Sequence, residues 1–159
     1  MVKYIIEFLH NRVLITSIGA WAIAQIIKTI IDLCFNKKVN FERLIGSGGM
    51  PSCHSATVTA LATISGFIYG LSSFEFAISC VVAIIVMYDA RGVRRETGNQ
   101  AVLLNQIMDY FRNIDKTQPK IEFNQDKLKE LIGHTPLQVI IGSILGFVIA
   151  IIMYRVLPA

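Results

Sequence analysis

Charge is what this chain has least of. Only 16% of its 159 residues are Asp, Glu, Lys or Arg, while 53% are hydrophobic; soluble domains carry about 25% charged residues. The charges are also clustered, which leaves long stretches nearly free of them. This excludes an ordinary soluble domain and points to an integral membrane protein. Cysteine is sparse: Cys34, Cys53 and Cys80 are widely spaced, with no CxxC pair. Nothing supports a disulfide framework or a cysteine–histidine metal centre, and Cys34 and Cys80 read as small apolar fillers. No metal and no cofactor are expected. The net charge of +4 has a topological explanation in a membrane protein, so nucleic acid is not an expected partner. A small-residue cleavage site is missing after residues 1–12, where Lys3, Glu7, His10 and Arg12 interrupt the apolar residues. That stretch reads as a short interfacial helix rather than a signal peptide.

What is present is a series of apolar runs. The expected fold is an all-α membrane bundle in a single domain, residues 1–159, with about four transmembrane helices. The spans are placed at roughly 13–35, 55–71, 74–88 and 136–157. Ala, Thr, Ser and Gly crowd the second, which suits close helix contacts in a bilayer. Ser72 and Ser73 make a tight turn into the third, so these two spans form a hairpin. In the first span Lys28 lies four residues before Asp32 and three after Gln25. Either Lys28 snorkels and pairs with Asp32, or Gln25 and Lys28 point into the bundle as polar groups at membrane depth.

The polar remainder falls into two loops, 36–54 and 89–135. In the second, Val102, Leu103, Ile107, Met108, Phe111 and Ile114 form overlapping helical stripes after Gly98-Asn99. This predicts an amphipathic helix on the membrane surface or over the end of the bundle. Asn124 is a candidate cap for a short helix through Leu131 and Ile132, stopped by Gly133. Four spans put both loops on one side. They carry Lys37, Lys38, Arg43, Arg91, Arg94, Arg95, Arg112, Lys116, Lys120, Lys127 and Lys129, against Lys3, Arg12 and Arg155 on the other. By the positive-inside rule the loops are cytoplasmic. The expected location is the plasma membrane of a bacterium.

Three polar clusters share that face. The first is Gly46-Ser47-Gly48-Gly49-Met50-Pro51-Ser52-Cys53-His54-Ser55, leading into the second span. The second is Asp89-Ala90-Arg91-Gly92-Val93-Arg94-Arg95-Glu96. The third is Gly133-His134-Thr135-Pro136, opening the last span. Ser52 or Ser55 can cap one helix and Thr135 the other, and helix N-termini attract anions. Ser47, Gly48 and Gly49 let backbone amides approach an oxyanion. Arg91, Arg94 and Arg95 offer charge-assisted contacts to phosphate oxygens, with Lys28 a further candidate. His54 and His134 can divide nucleophile and general-acid roles. Taken singly, each cluster has a plainer reading: a loop, a topology signal, a helix cap. What sets them apart is that two of only three histidines occupy matching helix-entry loops on one face.

Pro51-Ser52-Cys53-His54-Ser55 resembles the Pro-Ser-Gly-His motif of type-2 phosphatidic acid phosphatases, relatives of the vanadium-dependent haloperoxidases. Together the three clusters resemble the small, divergent membrane branch of that superfamily, over nearly the whole chain and in the same order. The resemblance implies a phosphohistidine mechanism without metal. It assigns His134 as nucleophile, His54 as general acid, and Ser52 with the Cys53 amide as part of the phosphate cradle. Cys53 stands where the motif has glycine, and Gln138 where the orienting acid would be, a place that Asp89 or Glu130 would have to fill. Leu128 stands where the parent family has an arginine, so the arginine must come from Arg91, Arg94 or Arg95. The Lys-x6-Arg-Pro motif is missing, which leaves Lys28, Lys38 and Arg43 as candidates.

The expected function is hydrolysis of a lipid phosphate or pyrophosphate at the cytoplasmic face. A non-catalytic binder or transporter of phosphorylated lipids would use the same pocket, and a membrane scaffold subunit is a third reading. Assembly as a homo-oligomer is left open. Halide oxidation with bound vanadate would need a buried oxidant pocket, of which the sequence has no sign.

Overall fold

The structure is a computed structural model that describes residues 1–36, 49–114, 128 and 133–157. Among these residues helix is the only regular secondary structure. The elements are α1 (Val2–Leu9), α2 (Arg12–Asn36), α3 (Cys53–Tyr69), α4 (Phe74–Arg91), α5 (Val93–Ile114) and α6 (Pro136–Val156). The expected all-α membrane bundle is the observed architecture. Among the described residues three helical stretches are long and apolar enough to cross a membrane: Arg12–Phe35, Pro136–Val156, and one within Phe74–Tyr110.

The fourth expected span is α3, and it differs in kind from the others. At 17 residues it is about 25 Å long at 1.5 Å per residue, short of the roughly 30 Å hydrocarbon core. It has packing on three sides instead, against α2, α4 and α6. Its buried face is mostly small: Cys53, Ser55, Ala56, Ala60, Ser65 and Gly66, with Val58 and Ile64. Small residues let backbones approach, and van der Waals contact between helices then replaces contact with lipid. The closest approach is to α6. A Cβ at Gly142 would strike the Ser52 carbonyl, and one at Gly146 the Ala56 carbonyl. Gly142 and Gly146 are thus a Gly-xxx-Gly pair that seats α6 on the first turn of α3. Ala20, Ala60, Ile64, Ile149 and Ala150 continue the core toward the other end. There Arg12 donates to the Tyr154 carbonyl at 3.1 Å, and Tyr154 packs on Phe67 with ring centroids 5.1 Å apart.

Helix starts follow local chemistry. Ser52 caps α3 by accepting from Ser55 N–H, Ser73 caps α4 by accepting from Phe76 N–H, and Asn11 Oδ1 accepts from Leu14 N–H at the start of α2. α1 is an exposed helix ahead of the bundle, as expected of an interfacial segment.

Several expected boundaries move. The second span begins at Cys53, not Ser55, so Cys53 and His54 belong to the first turn of a helix and not to the loop before it. α4 runs to Arg91, and α5 begins at Val93, immediately after Gly92. Asp89, Arg91, Arg94 and Arg95 are therefore helical, and Gly98-Asn99 lies inside α5 rather than ahead of it. The reason is continuity of hydrogen bonding: Gly92 N–H donates to Tyr88 O, and Glu96 N–H to Gly92 O. The candidate helix beginning at Asn124 falls outside the described residues.

Candidate functional site

The site forms where the N-termini of α3 and α6 meet the C-terminal end of α4. Three backbone contacts hold it. Ser52 N–H donates to the Gln138 carbonyl at 3.1 Å, joining the α3 cap to the first turn of α6. His134 N–H donates to the Ala90 carbonyl at 3.0 Å, tying the entry to α6 onto α4. Gly142 then lies against Ser52 one turn deeper.

This framework brings the two histidines together. Their ring centroids are 5.7 Å apart, edge to face at an interplanar angle of 65°. His134 is 2% exposed, whereas His54 is half-buried. The Cys53 thiol lies 3.9 Å from His54 Nδ1.

Gln138 fixes the state of the His134 ring. Thr135 caps α6 in a capping box: its hydroxyl accepts from Gln138 N–H, and Gln138 Oε1 accepts from Thr135 N–H at 3.0 Å. A backbone N–H can only donate, so the atom facing it is the amide oxygen, which removes the usual ambiguity of a glutamine flip. The same oxygen is 3.2 Å from His134 Nδ1. Facing an acceptor, Nδ1 carries the proton, and Nε2 of the neutral ring holds the lone pair. Gln138 thus does for orientation and tautomer what a carboxylate would do. It does not supply a carboxylate's negative charge.

Ser52 and Ser55 form the neighbouring wall. Both are fully buried, and Ser55 Oγ donates to Ser52 Oγ at 3.1 Å while Ser55 N–H points at the same oxygen. Gly49 adopts φ of +84°, a left-handed conformation that favours glycine. Ser47 and Gly48 lie outside the described residues, as do Lys38 and Arg43.

Lys28 is 2% exposed and Gln25 is 7% exposed; the lysine therefore does not snorkel outward. One turn before Lys28, Ala24 packs against Cys53 and Ala56. α2 runs antiparallel to α3, so Lys28 stands a turn beyond that contact, at the level of the α3 cap. Asp89 is half-buried and flanks Ala90, the residue that receives His134 N–H. Arg91 and Arg95 are exposed, and of the Arg94 side chain nothing is described. The histidines, Ser52, Cys53 and Lys28 thus gather at one end of the bundle, while Arg91 and Arg95 remain on its surface. Among the described residues no group of three His, Cys, Asp or Glu side chains is arranged to hold a metal ion.

Beside the site an apolar groove of about 450 Å³ runs between α3, α4 and α6, past Thr59, Ala62, Gly66, Phe76, Met87 and Phe147. Ser143 donates to Met87 Sδ at 3.3 Å where the groove approaches the site. Sequence reasoning overlooked the Gly142–Gly146 seat, whose signal was the glycine spacing. It also overlooked the Ala90 carbonyl, for which no side-chain pattern exists.

Residues 9–149 match the family described as the divergent PAP2 family. An uncharacterized membrane protein of Bacillus subtilis (strain 168), YuiD, is 40% identical over 152 residues, covering 92% of this chain and 96% of the relative. No solved structure matches. The match spans both histidine clusters and the arginine cluster and reaches into the last membrane helix: the chain belongs to the divergent PAP2 family, as a helical membrane protein.

Proposed function

We propose that the protein hydrolyses a lipid phosphate or pyrophosphate through a phosphohistidine at His134. The observation that carries this reading is the pairing of His134, held as the Nδ1–H tautomer by Gln138, with His54 5.7 Å away. His134 Nε2 attacks phosphorus as the bond to the leaving oxygen breaks. That oxygen takes a proton from protonated His54, and the lipid product leaves. Neutral His54 then draws a proton from water as the water oxygen attacks the phosphohistidine. Inorganic phosphate departs, with His134 neutral and His54 protonated again. Lys28, Ser52 and the N–H groups at the start of α3 hold the phosphoryl oxygens, and the positive end of that helix favours the anion. The apolar groove and the membrane setting support a lipid as the carrier of the phosphate. Asp89 and the arginines of the α4–α5 joint serve a headgroup from outside the pair. Charge counting supports a cytoplasmic site.

A second reading is a non-catalytic binder or transporter of phosphorylated lipids. Gln138 favours it, because an amide orients an imidazole without stabilising an imidazolium. One experiment separates the two on detergent-purified protein: thermal protection by vanadate or phosphate, beside phosphate release from polyprenyl and glycerolipid phosphates. Wild type, His54→Ala and His134→Ala are compared. Protection with release, both lost in the variants, is expected. Protection without release supports the binder. Neither result in wild type removes both readings and moves the scaffold role forward.

A further inference from the structure

We propose that Cys53 is a positioning residue for His54: its sulfur accepts from Nδ1–H and leaves Nε2 as the nitrogen that gives and takes the proton. Cys53 Sγ lies 3.9 Å from His54 Nδ1. Adjacent residues on a helix point about 100° apart and do not ordinarily face each other. The contact therefore requires the His54 ring to lean back over Cys53, the direction in which helical side chains tilt. The sulfur that it meets is fixed. Cys53 is 5% exposed and packs with Ala24 of α2 and Ala56 of its own helix, so it cannot turn away without opening that contact.

The two site histidines are then held alike. His134 presents Nδ1 to Gln138 Oε1 at 3.2 Å, and His54 presents Nδ1 to the side chain before it in the same helical turn. Which ring nitrogen carries the exchangeable proton is set by the hydrogen bond that the other makes. In the reaction set out above His54 is protonated, then neutral, then protonated again. With Nδ1–H kept against the sulfur throughout, both transfers occur at Nε2: it gives its proton to the leaving oxygen and recovers one from the attacking water. Sulfur is a weak acceptor. It orients the ring without holding it as the cation, which suits a group that has to release its proton. The motif that this stretch resembles has glycine at the place of Cys53, so the contact belongs to this chain's own sequence. The thiol touches no reacting group; its effect is on the tautomer and direction of His54. The catalytic consequence rests on the phosphatase reading given above, whereas the tautomer of His54 does not.

The test uses the full chain in lipid nanodiscs with nitrogen-labelled histidine rings, as wild type, Cys53→Ala and Cys53→Ser. With only three histidines in the chain, each ring can be assigned, and His10 and His134 serve as internal references. Ring nitrogen shifts, read by NMR where the ring is neutral, report which nitrogen carries the proton whether or not the protein turns over. Expected are Nδ1–H at His54 in wild type and Nε2–H, the form that a histidine prefers in water, in Cys53→Ala, with His134 unchanged. For phosphate release a fall of about tenfold in kcat is expected with KM nearly unchanged, a part of the roughly 100–10,000-fold that general acid–base catalysis supplies. Serine keeps a hydroxyl on a shorter bond; it should fall between, and it tests the proposal even where the alanine variant folds poorly. The same His54 tautomer in wild type and both variants would overturn the proposal, whatever kcat does, and reduce the thiol to packing. So would a change of tautomer with kcat unchanged in a protein that releases phosphate. Absence of phosphate release in wild type would sink the phosphatase reading instead, while the nitrogen shifts still decide whether Cys53 sets the ring.

Discussion

Gln138 Oε1 lies 3.2 Å from His134 Nδ1 and at the same time accepts from Thr135 N–H at 3.0 Å. One amide oxygen therefore closes a helix cap and sets a histidine tautomer. Replacing it by alanine removes both. Gln138→Ala should lower the unfolding free energy by about 1 kcal/mol through the lost reciprocal bond of the capping box and lower phosphate release by more than that loss explains. Gln138→Glu keeps an acceptor at both bonds and adds charge next to a ring that becomes cationic in the reaction. Its turnover should rise, within about tenfold, because tautomer and orientation are already provided by the glutamine. Phosphate-release assays on the two variants check this; a fall in the glutamate variant would count against His134 as nucleophile.

The α3–α6 contact has no room for a methyl group. Gly146→Ala places a Cβ against the Ala56 carbonyl, and Gly142→Ala one against the Ser52 carbonyl. Backbone cannot swing aside as a side chain does, so each should cost about 1–3 kcal/mol, the range of overpacked cores. Thermal unfolding in detergent measures it. Gly142→Ala should also weaken vanadate protection, since it displaces the residue that caps the site helix, while Gly146→Ala, one turn deeper, should spare it.

Lys28 is buried at the level of that cap. Lys28→Met keeps the length and apolar character of the stem and removes the charge. The vanadate concentration needed for half-maximal protection should rise by about tenfold or more, in line with the loss of a charge-assisted hydrogen bond. Unchanged protection would show that the lysine is only a buried structural cation.

The groove between α3, α4 and α6 offers a second handle on substrate. Ala62→Phe fills its middle with aromatic volume. Turnover of a long-chain polyprenyl phosphate should fall several-fold while hydrolysis of a short, water-soluble phosphate ester stays within about twofold, because remote binding energy serves only the substrate that reaches it. Equal effects on both substrates would mean that the groove does not hold the tail.

The site should face the cytoplasm if charge bias sets topology. An impermeant thiol reagent should then label a cysteine introduced at exposed Arg95 only in inverted vesicles, with the native cysteines replaced by alanine. Labelling of intact cells would reverse the orientation.

Much of this protein follows from its sequence by itself, because the bilayer leaves few choices. A chain with so little charge must satisfy its backbone within helices, so the all-α fold and the approximate spans are legible from apolar runs. The caps at Ser52 and Thr135 are legible too, since a hydroxyl before a helix meets local N–H groups whatever surrounds it. That His54 and His134 open two helices on one face can be inferred from counting spans.

Tertiary structure decided the rest. The turn of α3 to which His54 belongs depends on where α6 presses on Ser52, a long-range contact made by two glycines. The burial of Lys28 depends on helix rotation, which the residue spacing in α2 leaves open between snorkelling and pointing inward. In α5 Leu103 and Ile107 of the apolar stripe are exposed, while Asn105 is buried. In a membrane protein the apolar face belongs toward lipid as readily as toward the core, so amphipathicity alone cannot say which side packs. The partners of Asn105, His134 and Ser52 are backbone groups of Leu128, Ala90 and Gln138. Every residue carries such groups, so no pattern of side chains announces which will be used.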